Sequence, residues 1–252
     1  MPRIIALYRY PVKGFSPEPL ETADIAAGGT MPYDRVFAIE NGPSGFDPAS
    51  PASLPKARFL MLMKDERLAE FQTRFDDRSG VFRIARHGAP EVEASLRTAE
   101  GRARIEAWIA ANFRKELRGA PKILFADGHS FSDMPAKVLH VVNLASTRAL
   151  AEKLGRPVDP LRFRPNIVID GSPAFSELDW LGKEIRLSSI AFVCEHRTSR
   201  CAATNVDPKT GARDMQIPRS LDDLFGHTNF GVYLAVRAGG RVAVGDEIEI
   251  AA

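Results

Sequence analysis

Only two of the 252 residues are cysteines, Cys194 and Cys201. Two thiols cannot build the disulfide framework of a small secreted domain, and they fall short of the ligand set of an iron–sulfur cluster. No apolar run approaches the roughly 20 residues of a membrane-spanning helix. Residues 1–10 have neither a long apolar core nor a small-residue cleavage site, so they read as a first strand and the chain as cytoplasmic, with no membrane partner. No block of about five like charges is present. The 34 basic and 32 acidic side chains leave a formal net charge of +2, which argues against a nucleic-acid partner. Lysine is scarce as well, since 25 of the 34 cations are Arg and 9 are Lys. Arg offers a flat fork of donors to carboxylates and phosphates, but a surplus also follows from base composition, and the count does not separate the two.

What is present is an ordinary globular composition, 44 % hydrophobic and 26 % charged. The length suits one large domain or two small ones, with a core that needs no staples. Short β-type runs occur at 3–9, 35–40, 58–63 and 81–86. Residues 41–55 carry four prolines and two glycines and read as an irregular surface loop. Two helices are expected, 64–75 with Leu68, Phe71 and Phe75 at helical spacing, and 101–118 with Ile105, Trp108, Ile109 and Phe113 on one face. Later strands fall at 122–126, 136–142, 166–169, 184–193, 232–237 and 247–250. Among them lies a helix at 144–154, capped by Asn143 and stopped by Gly155 and Pro157. Ala238-Gly239-Gly240-Arg241 reads as a hairpin turn. With no regular strand–helix alternation and no Gly-x-Gly-x-x-Gly, a doubly wound sheet is not expected. The fold class is α+β and β-rich, with β-barrel or sandwich cores and peripheral helices.

The chemistry concentrates in residues 193–211. A strand runs into polar residues around Cys201, with Arg197 and Arg200 close by and the Thr198 and Ser199 hydroxyls between them. Nearby cations favour the thiolate, the form that ligates metals or attacks electrophiles. Cys194, in phase with Ile190 and Phe192, reads as a small core residue. A zinc site from Cys194, His196 and Cys201 lacks a fourth ligand, and a hydrolase pairing Cys201 with His196 or His227 lacks an oxyanion-type glycine motif. A second segment is Arg162-Phe163-Arg164-Pro165-Asn166-Ile167-Val168-Ile169-Asp170-Gly171. Pro165 is expected to hold Arg164 extended. Two guanidiniums at a strand mouth ask for an anion, unless Asp159, Asp170 or Glu177 pairs with them.

Arg162–Ile169, Arg200-Cys201 and Val206-Asp207-Pro208-Lys209-Thr210-Gly211 together resemble the signature of the MOSC domain. That is the molybdenum cofactor sulfurase C-terminal family, which includes the amidoxime-reducing components. Tyr10-Pro11-Val12-Lys13-Gly14 and Asp34-Arg35-Val36-Phe37 resemble the N-terminal β-barrel domain that accompanies it. Asn229-Phe230-Gly231-Val232-Tyr233 and Val244-Gly245-Asp246 resemble the family's end. The resemblance implies a smaller N-terminal β-barrel-like domain over 1–98 and a β-barrel MOSC domain over 99–252, linking helix included. It implies a molybdenum cofactor (Mo-molybdopterin), a phosphate-bearing pterin dithiolene, with Cys201 as the metal's protein ligand. A thiolate is a soft donor that suits such a metal. Lys13, Arg35, Arg164, Asn166, Thr198, Ser199 and Arg200 lie in the matching motifs as donors to the cofactor. Asp133, in Phe131-Ser132-Asp133-Met134-Pro135, resembles a catalytic position at the cofactor mouth. The chain departs from the family in having Lys13-Gly14 for a Lys-Ser pair. It also lacks a Thr-x-Arg element in 51–58, where Lys56 and Arg58 are the candidate substitutes.

The implied activity is that of a molybdenum-dependent oxidoreductase. Its substrates would be small N-hydroxylated molecules (hydroxylamines, amidoximes, N-hydroxy bases) or related N-oxides, and the cofactor supplies the redox chemistry. The alternative is a cofactor-binding or sulfur-carrying module without turnover of its own. No nicotinamide, haem or iron–sulfur motif is present, and the chain ends at Ala252 directly after the last strands. Electrons are therefore expected from a separate donor, a ferredoxin, a flavodoxin or a cytochrome b5-like protein with its reductase. Arg35, Arg164 and Arg200 are expected to form a positive rim around the anionic cofactor.

Overall fold

A computed structural model describes residues 1–187 and 189–251. The first strands are β1 (Arg3–Arg9), β2 (Glu18–Leu20), β3 (Thr22–Ile25), β4 (Phe37–Asn41), β5 (Phe71–Phe75), β6 (Val81–Arg86) and β7 (Ala89–Ser95). Helix α1 (Ala99–Asn112) leads to β8 (Pro121–Phe125) and β9 (Leu139–Asn143), and α2 (Leu144–Leu154) to β10 (Ile167–Asp170). There follow β11 (Glu184–Leu187), β12 (Ile190–Ser199), α3 (Ile217–Phe225), β13 (Asn229–Ala238), β14 (Gly240–Ala243) and β15 (Ile248–Ile250). The chain is α+β and strand-rich, and its largest sheet curls into a half-barrel.

That sheet has eight strands in the order β15-β11-β12-β13-β9-β10-β1-β2. Within it β9 and β10 run parallel, and α2 makes the crossover that a parallel pair requires. Smaller sheets pair β14 with β3, β4 with β8, and β5-β6-β7. Three pairings, β1–β10, β3–β14 and β4–β8, join strands before residue 99 to strands after it. The main core gathers Ile4, Leu7, Ile167, Phe192 and Leu234, and a second core gathers Phe71, Phe82 and the buried stripe of α1.

Local chemistry sets the helices. Thr98 caps α1 by accepting from Gly101 N–H at 3.0 Å, and Ile105 and Ile109 turn one face inward. Asn143 caps α2, and Gly155 ends it in a left-handed conformation (φ 63°), as the pattern over 144–154 indicates. The helix expected at 101–118 is shorter, ending at Phe113 as its C-cap.

Several local expectations give way. Residues 64–75 form a 3-10 turn (Glu66–Glu70) and then β5, not a helix. Phe71, Thr73 and Phe75 are buried in strict alternation with exposed Gln72 and Arg74, and β6 supplies their backbone partners. Residues 58–63 make no strand. Phe59 has one bridge to Glu40, and Phe59, Leu60, Met61 and Leu62 are buried in succession rather than alternately. The run 184–193 folds back on itself as β11 and β12, with Leu187 opposite Ile190, while Ser188 lies outside the described residues. The 238–241 turn does not close a hairpin, because β14 leaves its predecessor and pairs with β3. No helix among the described residues is long and apolar enough to cross a membrane.

Candidate cofactor-binding site

Strand β12 carries Thr198 and Ser199 to its end, and Arg200 N–H is held by Thr228 O at 2.9 Å. Cys201 then opens a short turn, Ala202–Asn205, in which Thr204 donates to Cys201 O from its N–H (3.1 Å) and its hydroxyl (2.9 Å). Arg164 caps the 3-10 turn Pro160–Phe163, and its backbone is left-handed (φ 53°), not extended as the following proline suggests. Arg35 is left-handed too (φ 54°). Such a conformation costs a non-glycine residue roughly 1–2 kcal/mol, and two of these residues meet at one cavity.

The cavity has two lobes that meet at Cys201. Lys56, Asp133, Arg200, Cys201 and Tyr233 line both. Lys13, Arg35, His140, Arg164 and Asn166 line the inner lobe, of about 110 Å³. Met134, His196, Arg197, Thr198 and Ser199 line the outer one, of about 420 Å³. The sequence-expected donors therefore converge, together with Asp133. Arg35, Arg164 and Arg200 form an inner wall rather than a rim.

Each cation is placed by named partners. Arg35 bonds Asp34, whose other oxygen accepts from Tyr10 N–H at 2.8 Å. Both Arg35 and Arg164 lie over the Tyr10 ring, with Cζ at 4.7 and 4.2 Å from its centroid. Arg164 donates from Nη1 to Phe15 O (2.8 Å), and among the described residues no acid pairs with it. Arg162 is different. It is buried against Asp207 (3.0 Å) and Asp214 (2.8 Å), not against Asp159, Asp170 or Glu177. Lys13 bonds Phe131 O (2.8 Å) and Asp133, and Lys56 stands 3.7 Å from both Asp133 and the Cys201 sulfur. The cation that reaches the Cys201 sulfur is thus distant in sequence, and the cations beside Cys201 in sequence bond elsewhere. Arg197 turns away to Leu178 O (2.7 Å), and Arg200 turns inward to Phe163 O (2.8 Å).

Burial sets the charge states. It pulls Arg164 down to about 10, with Arg35 adding to the effect against Tyr10. Burial also lowers Lys13, although Asp133 opposes it, and lowers Arg200. For Asp133, burial works toward a neutral acid, but the Lys13 and Lys56 charges outweigh it and hold the carboxyl below its usual range. His140 is buried and kept neutral, first by desolvation and then by Arg200. Its Nδ1–H points to Arg164 O and its Nε2 accepts from Arg200, each at 3.4 Å. The cavity thus holds more buried positive charge than negative, and a buried charge without a partner calls for a counter-ion.

Residues 122–249 match the MOSC domain and residues 1–116 match the MOSC N-terminal beta barrel domain. The chain belongs to the MOSC family. Mitochondrial amidoxime-reducing component 1 of Mus musculus is 32 % identical over 134 residues, 48 % of this chain and 38 % of that protein. Molybdenum cofactor sulfurase of Drosophila pseudoobscura pseudoobscura is 34 % identical over 98 residues, 38 % of this chain and 12 % of that protein. The matches thus span well under two thirds of either relative. Among solved structures, the YUAD protein from Bacillus subtilis is similar over 99 % of this chain and 96 % of its own, at 16 % identity and a TM-score of 0.46.

In this MOSC chain Gly14 has a physical reason. Its φ is +90°, and a Cβ would stand 2.9 Å from Leu68 Cδ1, so a serine has no room without strain. Of the two candidate substitutes in 51–58, Lys56 enters the cavity, while Arg58 is exposed and outside it. Asn166 is mainly a strut, accepting from His140 N–H (3.1 Å) and donating to Tyr8 O (3.2 Å). Cys194 is 1 % exposed in the main core, where burial raises its thiol to about 11. Among the described residues no three His, Cys, Asp or Glu side chains gather as a metal site would need, Cys194, His196 and Cys201 included. Residue-level reading missed His140 and Tyr233, whose signal was a polar or phenolic side chain within an otherwise apolar strand.

Proposed function

We propose that the cavity binds a molybdenum cofactor through Cys201 and that the protein reduces N-hydroxylated compounds with electrons from a separate donor protein. One observation carries the reading. Arg164 Nη2, Arg200 Nε and Thr198 Oγ1 are buried with no partner among the described residues, and all three residues line the cavity that holds the thiol. A buried donor left unpaired costs roughly 1–3 kcal/mol, so the site favours a ligand with several anionic or carbonyl acceptors. A phosphate-bearing pterin dithiolene is such a ligand, and its metal accepts a further soft thiolate. The residues present fit the group. Lys13, Arg35, Arg164, Asn166, Thr198, Ser199 and Arg200 would hold it, and Cys201 its metal.

When bound, the cofactor supplies a two-electron couple linked to transfer of one oxygen atom. Reduction of a hydroxylamine to an amine and water consumes two electrons and two protons. Tyr233, which burial holds in its protonated form, lines both lobes. Asp133 stays ionised there and orients the ammonium groups of Lys13 and Lys56 toward the cavity. The names of the relatives, an amidoxime-reducing component and a molybdenum cofactor sulfurase, support a molybdenum-linked role.

Protein made in cells that synthesise the cofactor is expected to contain molybdenum by elemental analysis. It is expected to oxidise a reduced dye when an aryl amidoxime is added. Cys201→Ala loses both properties with little change in thermal unfolding, and Arg164→Ala weakens cofactor retention by roughly 1.5–3 kcal/mol. Molybdenum without substrate-dependent oxidation would identify a cofactor carrier instead. Wild-type protein free of molybdenum ends the proposal.

A further inference from the structure

The turn that bears Cys201 is fastened on two sides by two arginines. Arg162 takes one side, donating from Nη1 to Asn205 O at 3.2 Å and from Nη2 to Asp207 and Asp214. Arg213 takes the other. Its Nη1 donates to the carbonyl of Ala202, the residue after Cys201, at 3.2 Å. Its Nη2 donates to Met63 O at 2.6 Å and to Glu66 Oε2 at 2.9 Å, and Nε reaches the same carboxylate oxygen at 3.3 Å. Met61, Leu62 and Met63 line the inner lobe, as do Cys201 and Ala203. One planar guanidinium therefore spans the seam between the wall at 61–66 and the thiol-bearing turn.

The backbone brings the two sides close. An isolated bridge joins Val206 to Arg213, and Gly211 (φ +74°) runs so near residue 66 that a Cβ there would lie 3.0 Å from Glu66 O. The side chains of Arg213 and Glu66 are 33 % and 40 % exposed, so their ion pair contributes little by charge alone. The geometry is what is specific. Three acceptors on two segments are met by the fork of one arginine, which a lysine ammonium cannot reproduce.

We propose that Arg213 is a positioning residue for Cys201. It fixes the thiol against the 61–66 wall and so sets how firmly the cavity retains its metal-bearing anionic ligand. The second half of this statement rests on Cys201 being the metal ligand, and the first half does not.

The test uses the full chain in two forms. In cofactor-free protein, iodoacetamide labelling is followed separately at Cys201 and at core-buried Cys194, which reports opening of the fold as a whole. Arg213→Gln and Arg213→Lys should each raise the Cys201 rate by about threefold or more, with Cys194 silent. Glu66→Gln, which leaves the bonds to Met63 and Ala202, should have a smaller effect. In protein made with the cofactor available, both Arg213 variants should lose molybdenum on dialysis faster than wild type. Rescue by lysine, a Cys201 rate within about twofold of wild type, or Cys194 labelling that rises in step overturns the positioning role. Labelling as expected in a wild-type protein that holds no molybdenum upholds the positioning of the thiol and removes only the cofactor reading.

Discussion

At the residue scale, the site depends on places where only one kind of side chain fits. Gly231 (φ +79°) lies on β13 beside β9, and a Cβ there would stand 2.4 Å from Val141 O and 2.7 Å from His140 Nε2. Gly231→Ala would strain the backbone and push His140 off Arg200. It is expected to lower stability by about 2 kcal/mol or more, and molybdenum content with it. Thermal unfolding and elemental analysis check this, and an unchanged melting temperature would show that the strands spread freely. The core placement of Cys194 could be read from sequence because strand phase marked it. The partners of Cys201 could not. Lys56 reaches its sulfur from 145 positions away in the chain.

At the element scale, the 3-10 turn Ser176–Trp180 is latched to the start of α2 by one buried carboxylate. Glu177 accepts from Ser146 Oγ at 2.8 and 3.0 Å and from Asn143 Nδ2 at 3.1 Å. No cation is paired with it among the described residues, and burial pushes its carboxyl above the usual range. A raised carboxyl means that the folded state binds the proton more tightly than the unfolded one. Its contribution is thus fully favourable below the unfolded value of about 4.3 and is lost as pH rises through the folded value. Glu177→Gln removes that dependence. The variant should gain stability relative to wild type as pH rises from about 4 to 7, and calorimetry across that range should show it. A difference that stays flat with pH would mean the carboxylate ionises at no cost. Helix α2 was legible because its caps are local. Strand β5 was not, since Leu68, Phe71 and Phe75 satisfy a helical spacing, and the pairing that decides against it is with β6, from Phe71 opposite Arg86 to Phe75 opposite Phe82.

At the scale of the whole molecule, residues before and after 99 share three sheets. The cavity draws its lining from both portions, Lys13 and Arg35 from one and Arg164 and Cys201 from the other. The protein is therefore expected to unfold in a single calorimetric transition, and residues 99–252 expressed alone should fail to fold, having lost β1 beside β10 and β4 beside β8. Two resolved transitions, or a folded 99–252 fragment, would contradict this. The two-stranded sheet of β3 and β14 also explains the turn at 238–241. The chain leaves β13 there to pair with β3, more than 200 residues earlier, a partner that no local turn signal can name.

The amino-acid sequence by itself determined the strand-rich class, the capped helix at 144–154, the family and the set of cations and hydroxyls gathered around Cys201. Those features reside in short-range pattern, where spacing, capping and motif order are sufficient. Tertiary structure alone decided which arginine is spent on an internal ion pair and which stays unpaired. It also decided that Lys56 rather than Arg197 meets the thiol, and that Arg164 bends left-handed into the cavity. Each of these outcomes is a competition between partners far apart in the chain, settled by burial, and burial is a property of the folded molecule.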